Sequence, residues 1–333
     1  MKVVANSKIL KFDVSNSILE TIGKTPMVNL SRISNITGIS VYGKLEMSNP
    51  GGSIKDRTAY SIIKKGLIEG TINADTTVVE SSSGNMAIGL AQVCSYFKIS
   101  LTIVVDPKTN SQTLKILKAY GVNIEKISTP LKEGGFLGAR LKRVKEILNE
   151  KPNTFWTNQY ANEANPKAHH QTMAEIMEAK VGPLDYLLVA TSTCGTLMGC
   201  ADFIEEHNLS TKLIAVDAEG SVLFGQASKK RLIPGHGAGL PSRFLKKGVV
   251  DRVVHITDWG CIKGCYQLLK EESILAGGSS GAVISAMLQI APELPSGSNV
   301  AVILCDRGER YIETIYNPEW RKKHFGIKDV YEL

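Results

Sequence analysis

The sequence contains no Cys-x-x-Cys pair, no Gly-x-x-x-x-Gly-Lys-Ser/Thr loop and no apolar run approaching membrane-spanning length. A membrane-crossing helix needs roughly 20 apolar residues in succession, so a membrane protein is not expected. Without the phosphate-cradling loop, nucleotide binding is disfavoured; "GHGAG" (235–239) also misses the Gly-x-Gly-x-x-Gly spacing and follows no clear strand. The six cysteines, Cys94, Cys194, Cys200, Cys261, Cys265 and Cys305, are scattered and mostly sit in apolar stretches. They read as small core residues of a reducing compartment, with no disulfides and no metal site. Cys261 and Cys265 share a helix face but lack further ligands nearby.

Aromatic residues make up only 6%, and the formal net charge of +7 is dispersed along the chain. No stacking platform or basic stripe for nucleic acid results, although small anions would be attracted. The first residues, "MKVVANSKILKFDVSN", show no apolar signal core and no cleavage site, so a cytoplasmic location is expected.

What is present is a repeating alternation of strand and helix. Short β-branched runs recur at 41–46, 76–81, 101–106, 122–127, 185–191, 212–218, 252–257 and 299–306. Near-continuous apolar runs of this kind suit strands buried on both faces of a parallel sheet. Helical patterns lie between them: Met86, Leu90, Val93 and Phe97 form one stripe, and 109–120 begins with capping residues and stops at Gly121. At 333 residues the chain exceeds the usual single domain. Two α/β domains are expected, one within about 50–160 and one across about 165–310.

Two loops rich in small hydroxyl residues stand where strands hand over to helices, "ESSSGNMAIG" (80–89) and "ATSTCGTLMG" (190–199). Helix N-termini offer unpaired N–H donors, so both are candidate anion sites, although Ser and Thr also serve simply as caps. A third element, "NPGGSIKDR" (49–57), sets Lys55 just behind a tight turn. An amine held in place near anion loops suits covalent capture of an aldehyde cofactor.

Taken in order, "TIGKTPMVNL", "NPGGSIKDR", "SSGN", "STCGT", "AGGSSGA" and "CDRGERY" resemble the fold-type II pyridoxal-phosphate enzymes of the cysteine synthase and cystathionine β-synthase family. The resemblance spans about 15–315. It implies two three-layer α/β domains with mostly parallel sheets, like the tryptophan synthase β-subunit. A smaller mobile lobe would occupy 50–160 and a larger cofactor domain 1–49 plus 161–333. The cofactor implied is pyridoxal 5'-phosphate, the partners are small amino-acid substrates, and the assembly is a homodimer.

Carried over by position, the resemblance makes Lys55 the Schiff-base lysine and general base. Asn85 would meet the cofactor's ring hydroxyl, and Ser192, Thr193, Cys194, Gly195 and Thr196 would hold its phosphate. Ser279 would be a neutral partner of the ring nitrogen, with Cys305 close by. Ser82, Ser83, Gly84, Asn85, Met86, Gln159 and Tyr160 would line the substrate side. The implied activity is β-replacement through an aminoacrylate. His169 and His170 are expected to pack or to lie at an interface, and Arg307 and Glu309 to tie the sheet end to nearby loops.

The chain departs from common members at Tyr160, in place of Phe, and at Ser192 and Cys194, in place of two glycines. These positions, with "KLEMSNPGGSIKDR", "NQYANE" and "AVDAEGSVLFG", are more similar to the branch that makes N-(2-amino-2-carboxyethyl)-L-glutamate from O-phospho-L-serine and L-glutamate. That branch leads to 2,3-diaminopropionate, a siderophore and antibiotic precursor. Arg140 is the candidate grip for the leaving phosphate, since a guanidinium binds phosphate in two places; a solvated helix arginine is the alternative. A cysteine synthase using O-acetylserine or O-phosphoserine with sulfide is the other enzymatic reading, and a catalytically silent cofactor-binding protein is the third.

Overall fold

The computed structural model describes residues 14–330 apart from Lys180 and Lys328, so the N-terminal reading falls largely outside the described residues. The strands are β1 (Met27–Asn29), β2 (Ser40–Leu45), β3 (Thr77–Ser81), β4 (Ser100–Val105), β5 (Asn123–Lys126), β6 (Thr154–Trp156), β7 (Tyr186–Ala190), β8 (Lys212–Ala218), β9 (Arg252–Ile256) and β10 (Asn299–Leu304). The α-helices are α1 (Ser31–Thr37), α2 (Lys55–Ile68), α3 (Asn85–Phe97), α4 (Ser111–Ala119), α5 (Gly135–Glu150), α6 (Ala164–Glu178), α7 (Gly195–Glu206), α8 (Asp258–Glu272), α9 (Gly278–Ile290) and α10 (Pro318–Phe325).

Two sheets form, a six-stranded one in the order β1-β2-β10-β7-β8-β9 and a four-stranded one in the order β5-β4-β3-β6. All pairings are parallel except β1 against β2. The expected apolar runs are these central strands: Leu187 to Val189 and Val300 to Leu304 are fully buried. Strands β1 and β6 are new relative to the sequence reading. Each is only three residues long and carries no β-branched run of its own. Of the predicted α3 stripe, Met86, Leu90 and Val93 are buried while Phe97, at the helix end, is 36% exposed.

In each sheet the strand order reverses at one place, between β7 and β10 and between β3 and β6. Ligands of open α/β sheets bind beyond the carboxyl ends of strands at such a reversal. Here the two reversals are brought together. Helix α2 spans the junction, packing on α3 at one side and on α6 at the other.

Helices α8 and α9 pack backbone to backbone. A Cβ on Gly281 would lie 2.1 Å from the Cys261 carbonyl oxygen, so only glycine permits that approach. Cys261 and Cys265 are buried in this contact, as expected of core thiols. Among the described residues no helix is long and apolar enough to cross a membrane. The C-terminal segment includes α10, capped by the Asn317 side chain.

Candidate active site

A cavity of about 330 Å³ opens at the two reversal points. Its walls include Lys55 from α2, the 81–86 loop after β3, Gln159 and Tyr160 after β6, the 192–196 loop after β7, Ser279 and Cys305. Every site residue named from the sequence, Arg140 included, lines this one cavity.

Lys55 is placed by the turn before it. The Ile54 N–H donates to the Cys305 carbonyl at 2.8 Å, and the Arg307 N–H donates to the Gly52 carbonyl at 3.2 Å, so the turn is stitched to the end of β10. Asp56 closes it by accepting the Gly51 N–H at 2.6 Å. Lysine therefore becomes the first residue of α2 with its amine turned into the cavity. Burial lowers its pKa, against opposing attraction from Cys305 and Asp306. A lowered pKa leaves more neutral amine at neutral pH, the form that attacks carbonyls and takes protons.

Two helix N-termini face the cavity. Neither the α3 nor the α7 N-cap residue caps its helix through a side chain, although the Gly195 N–H lies 3.4 Å from Thr193 Oγ1. Cys194, the residue before α7, has φ of 65°, a left-handed conformation that favours glycine; this accounts for the glycine usual at that place. A Cβ at Gly195 would fall 2.2 Å from the Asn165 side chain, so the loop can lie flat only with glycine there.

Asn165 was not singled out by the sequence, yet it ties three walls together. Its amide donates to the Gln159 carbonyl at 2.7 Å and to Thr193 Oγ1 at 3.2 Å, and it accepts from Thr58 Oγ1 at 3.2 Å. Glu80 plays a similar part beneath the substrate side, accepting from the Ser81 N–H at 2.7 Å, Thr157 Oγ1 at 2.5 Å and the Gln159 N–H at 3.2 Å. Burial raises its pKa. Glu80 opens the 80–89 loop but has no role of its own in the sequence reading, and only contacts across the fold reveal either residue's part.

The "CDRGERY" segment also contributes more than expected. Asp306 accepts from Asn85 Nδ2 at 2.8 Å and from the Tyr311 hydroxyl at 2.5 Å. Arg310 donates to Asn85 Oδ1 and to the Gly51 carbonyl. Asn85 is thus held at both ends of its amide. Arg307 reaches the Met47 carbonyl at 3.0 Å, the structural tie anticipated for it.

Arg140 projects from α5 into the wall with its side chain only 11% exposed. Asp106 lies 3.4 Å from its Nε, but Nε and one Nη have no hydrogen-bond partner. Burying N–H donors without a hydrogen-bonded acceptor is costly, so Arg140, although ion-paired with Asp106, keeps hydrogen-bonding capacity unmet. Sequence reading gives no role to Arg231 and weighs the 235–239 loop only as a nucleotide site; both line the cavity.

The histidines lie elsewhere. His169 is fully buried against Thr58 and Thr172. His170 pairs with Glu206 at 2.7 Å, and with His207 these residues offer ligand atoms within 4.8 Å of one another, outside the cavity lining.

Known proteins agree with this architecture. The family model described as "Pyridoxal-phosphate dependent enzyme" matches residues 18–306. The N-(2-amino-2-carboxyethyl)-L-glutamate synthase of Cupriavidus metallidurans is 43% identical over 311 residues, covering 92% of this chain and 91% of the relative. The synthase of the same name from Ralstonia nicotianae is 42% identical over 308 residues, with the same coverage. Among solved structures, the O-acetylserine dependent cystathionine β-synthase of Helicobacter pylori superposes with a TM-score of 0.84 at 30% identity, covering 91% of this chain and 99% of its own. Cysteine synthase of Entamoeba histolytica gives 0.84 at 33% identity, covering 95% and 94%. The chain belongs to the pyridoxal-phosphate-dependent enzyme family, as a transferase of the cysteine synthase-like fold.

Proposed function

We propose that this protein condenses O-phospho-L-serine with L-glutamate, forming N-(2-amino-2-carboxyethyl)-L-glutamate and releasing phosphate. The observation that carries the choice of leaving group is Arg140, a buried cavity guanidinium with unpartnered N–H donors. The names of the two 42–43% identical relatives support the product.

The residues present fit pyridoxal phosphate. A desolvated amine, Lys55, stands in the same cavity as the uncapped N-terminus of α7 and the hydroxyls of Ser192, Thr193 and Thr196. We assign the phosphate to the 192–196 loop, the aldehyde to Lys55, and the ring nitrogen to the neutral Ser279 hydroxyl beside Cys305. When bound, the cofactor supplies the electron sink that allows a β-substituent to leave an α-amino acid. The uncapped α3 N-terminus, with Ser82, Ser83, Gly84, Asn85, Met86 and Gln159, receives the substrate's α-carboxylate, where the helix dipole favours an anion. Lys55 Nζ takes the α-proton and later returns it. The Cβ–O bond breaks with its electron pair leaving on phosphate, which Arg140 holds. Glutamate's nitrogen then forms the Cβ–N bond and gives up a proton. Tyr160 and Ser192 narrow and polarise the pocket toward an amino-acid nucleophile.

We further propose that residues 50–160 form the lobe that closes over substrate, that the enzyme acts as a cytoplasmic homodimer, and that its product serves 2,3-diaminopropionate synthesis for a siderophore or antibiotic. A two-fold dimer is the commonest soluble assembly.

The deciding assay loads the protein with pyridoxal phosphate and phosphoserine, then offers glutamate or sulfide separately and identifies products by mass. The glutamate adduct is expected; cysteine alone overturns the reading in favour of a cysteine synthase. Arg140→Ala should lower kcat/KM for phosphoserine by about 100-fold, with less than a threefold change for O-acetylserine. Equal losses on both donors would remove Arg140 from the leaving-group role.

A further inference from the structure

Two substrates that are both anionic need more than one cationic recognition point. The cavity lining contains four cations, Lys55, Arg140, Arg231 and Arg310. Lys55 is taken by the aldehyde and Arg140 by the leaving phosphate. Arg310 is spent on Asn85 and the Gly51 carbonyl. Arg231 remains.

Its setting is that of a presented group. The segment carrying it is pinned by Asp258, whose carboxylate accepts the N–H groups of Leu232 at 2.7 Å and Ile233 at 3.1 Å. The far side of the loop is fixed by the Gly237 N–H to the Thr191 carbonyl at 2.7 Å and the Ala238 N–H to Ser221 Oγ at 3.0 Å. Arg231 Nη1 donates to the His236 carbonyl at 3.0 Å, which orients the planar head. Gly237 makes room for it: a Cβ there would sit 2.1 Å from Nη1. Among the described residues no carboxylate forms an ion pair with Arg231.

We infer that Arg231 and the 231–239 loop form the subsite for the second substrate, with the Arg231 guanidinium receiving the side-chain carboxylate of the incoming glutamate. This rests on the function proposed above. Arg231 and Arg140 both line the cavity, one from the segment between β8 and β9 and the other from α5. Both favour the ionised form of the Tyr160 hydroxyl, although burial and Glu80 raise its pKa overall. The leaving group and the nucleophile therefore meet different arginines, and Tyr160 is within electrostatic reach of each. A sulfide nucleophile carries no carboxylate and gains nothing from such a residue.

The test compares the holoenzyme with Arg231→Ala and Arg231→Lys, using phosphoserine as donor and L-glutamate or L-glutamine as acceptor. In Arg231→Ala the KM for glutamate should rise about 10- to 100-fold, the size expected for a lost charge-assisted pair, while the phosphoserine KM moves less than twofold. The wild-type preference for glutamate over glutamine should collapse toward unity, and Arg231→Lys should restore part of it. Thermal melting of each variant identifies a collapsed loop. An unchanged glutamate KM, a retained glutamate preference, or equal rises in both KM values would overturn the inference alone. If the wild-type protein gives no adduct with glutamate, the proposed function falls and this inference with it.

Discussion

At the scale of single residues, the site depends on charges held where water cannot reach them. Asp56 shows the effect most clearly. It is fully buried one residue after Lys55, and its Oδ1 has no partner. Burial raises its pKa to about 7, with the Gly51 N–H and Arg310 opposing the rise. Because the folded value lies above the unfolded one, its contribution to stability is full below pH ~4 and is lost as the pH climbs through about 7. Between pH 5.5 and 8.5 that loss is about 2 kcal/mol. Asp56→Asn should remove this component from urea-unfolding free energies measured at the two pH values. Identical pH slopes in the variant and the wild type would show that Asp56 ionises normally.

At the scale of elements, the geometry of the site is set by helices that touch through glycine. The Gly281 contact fixes the depth of α9 and so where Ser279 stands at the cavity. Gly281→Ala forces a methyl group against the Cys261 carbonyl, and overpacking of this kind costs roughly 1–3 kcal/mol. The expected result is a lower urea midpoint together with weaker pyridoxal-phosphate affinity, read by titrating the apo-protein and following its visible absorbance. Lower stability with unchanged affinity would mean that α9 yields without moving Ser279.

At the scale of the whole molecule, the two sheets are joined by a buried ionic cluster. Arg57, on α2, donates to Glu46 at 2.7 and 2.8 Å and to Glu175 on α6 at 2.8 and 2.6 Å, while Lys44 on β2 reaches Glu175 at 2.7 Å. Burial would raise the Glu175 pKa, but the bonds and charge of Arg57 and the bond from Lys44 outweigh it and hold the group at about 2. That depressed value makes its contribution fully present above pH ~4.5 and lost as the pH falls through about 2, some 3 kcal/mol in all. Removing one partner of a buried pair leaves an uncompensated charge and typically costs about 3–5 kcal/mol. Arg57→Met should lose that much in urea unfolding at pH 7, and Glu175→Gln should flatten the acid limb between pH 4.5 and 2.5. A loss below ~1 kcal/mol in Arg57→Met would show that the cluster does not hold the sheets together.

The sequence by itself determined the eight longer strands through their β-branched runs, which the central strands bury on both faces, while β5 at the sheet edge has no buried residue. It also marked Lys55 and the two hydroxyl loops as candidates, because each sits in a contiguous motif, and the fold brings all three to one cavity. It could not reveal β1 and β6, which are too short to carry a period and exist only by pairing with β2 and β3. Nor could it reveal Asn165, Glu80, Asp306, Arg231 or Arg310 as parts of the site. Their roles arise from contacts such as Asn165 to Thr58 or Arg310 to Asn85, between residues more than a hundred positions apart. Only the meeting of the two strand-order reversals brings these residues together. That meeting depends on packing across α2, which no local pattern encodes.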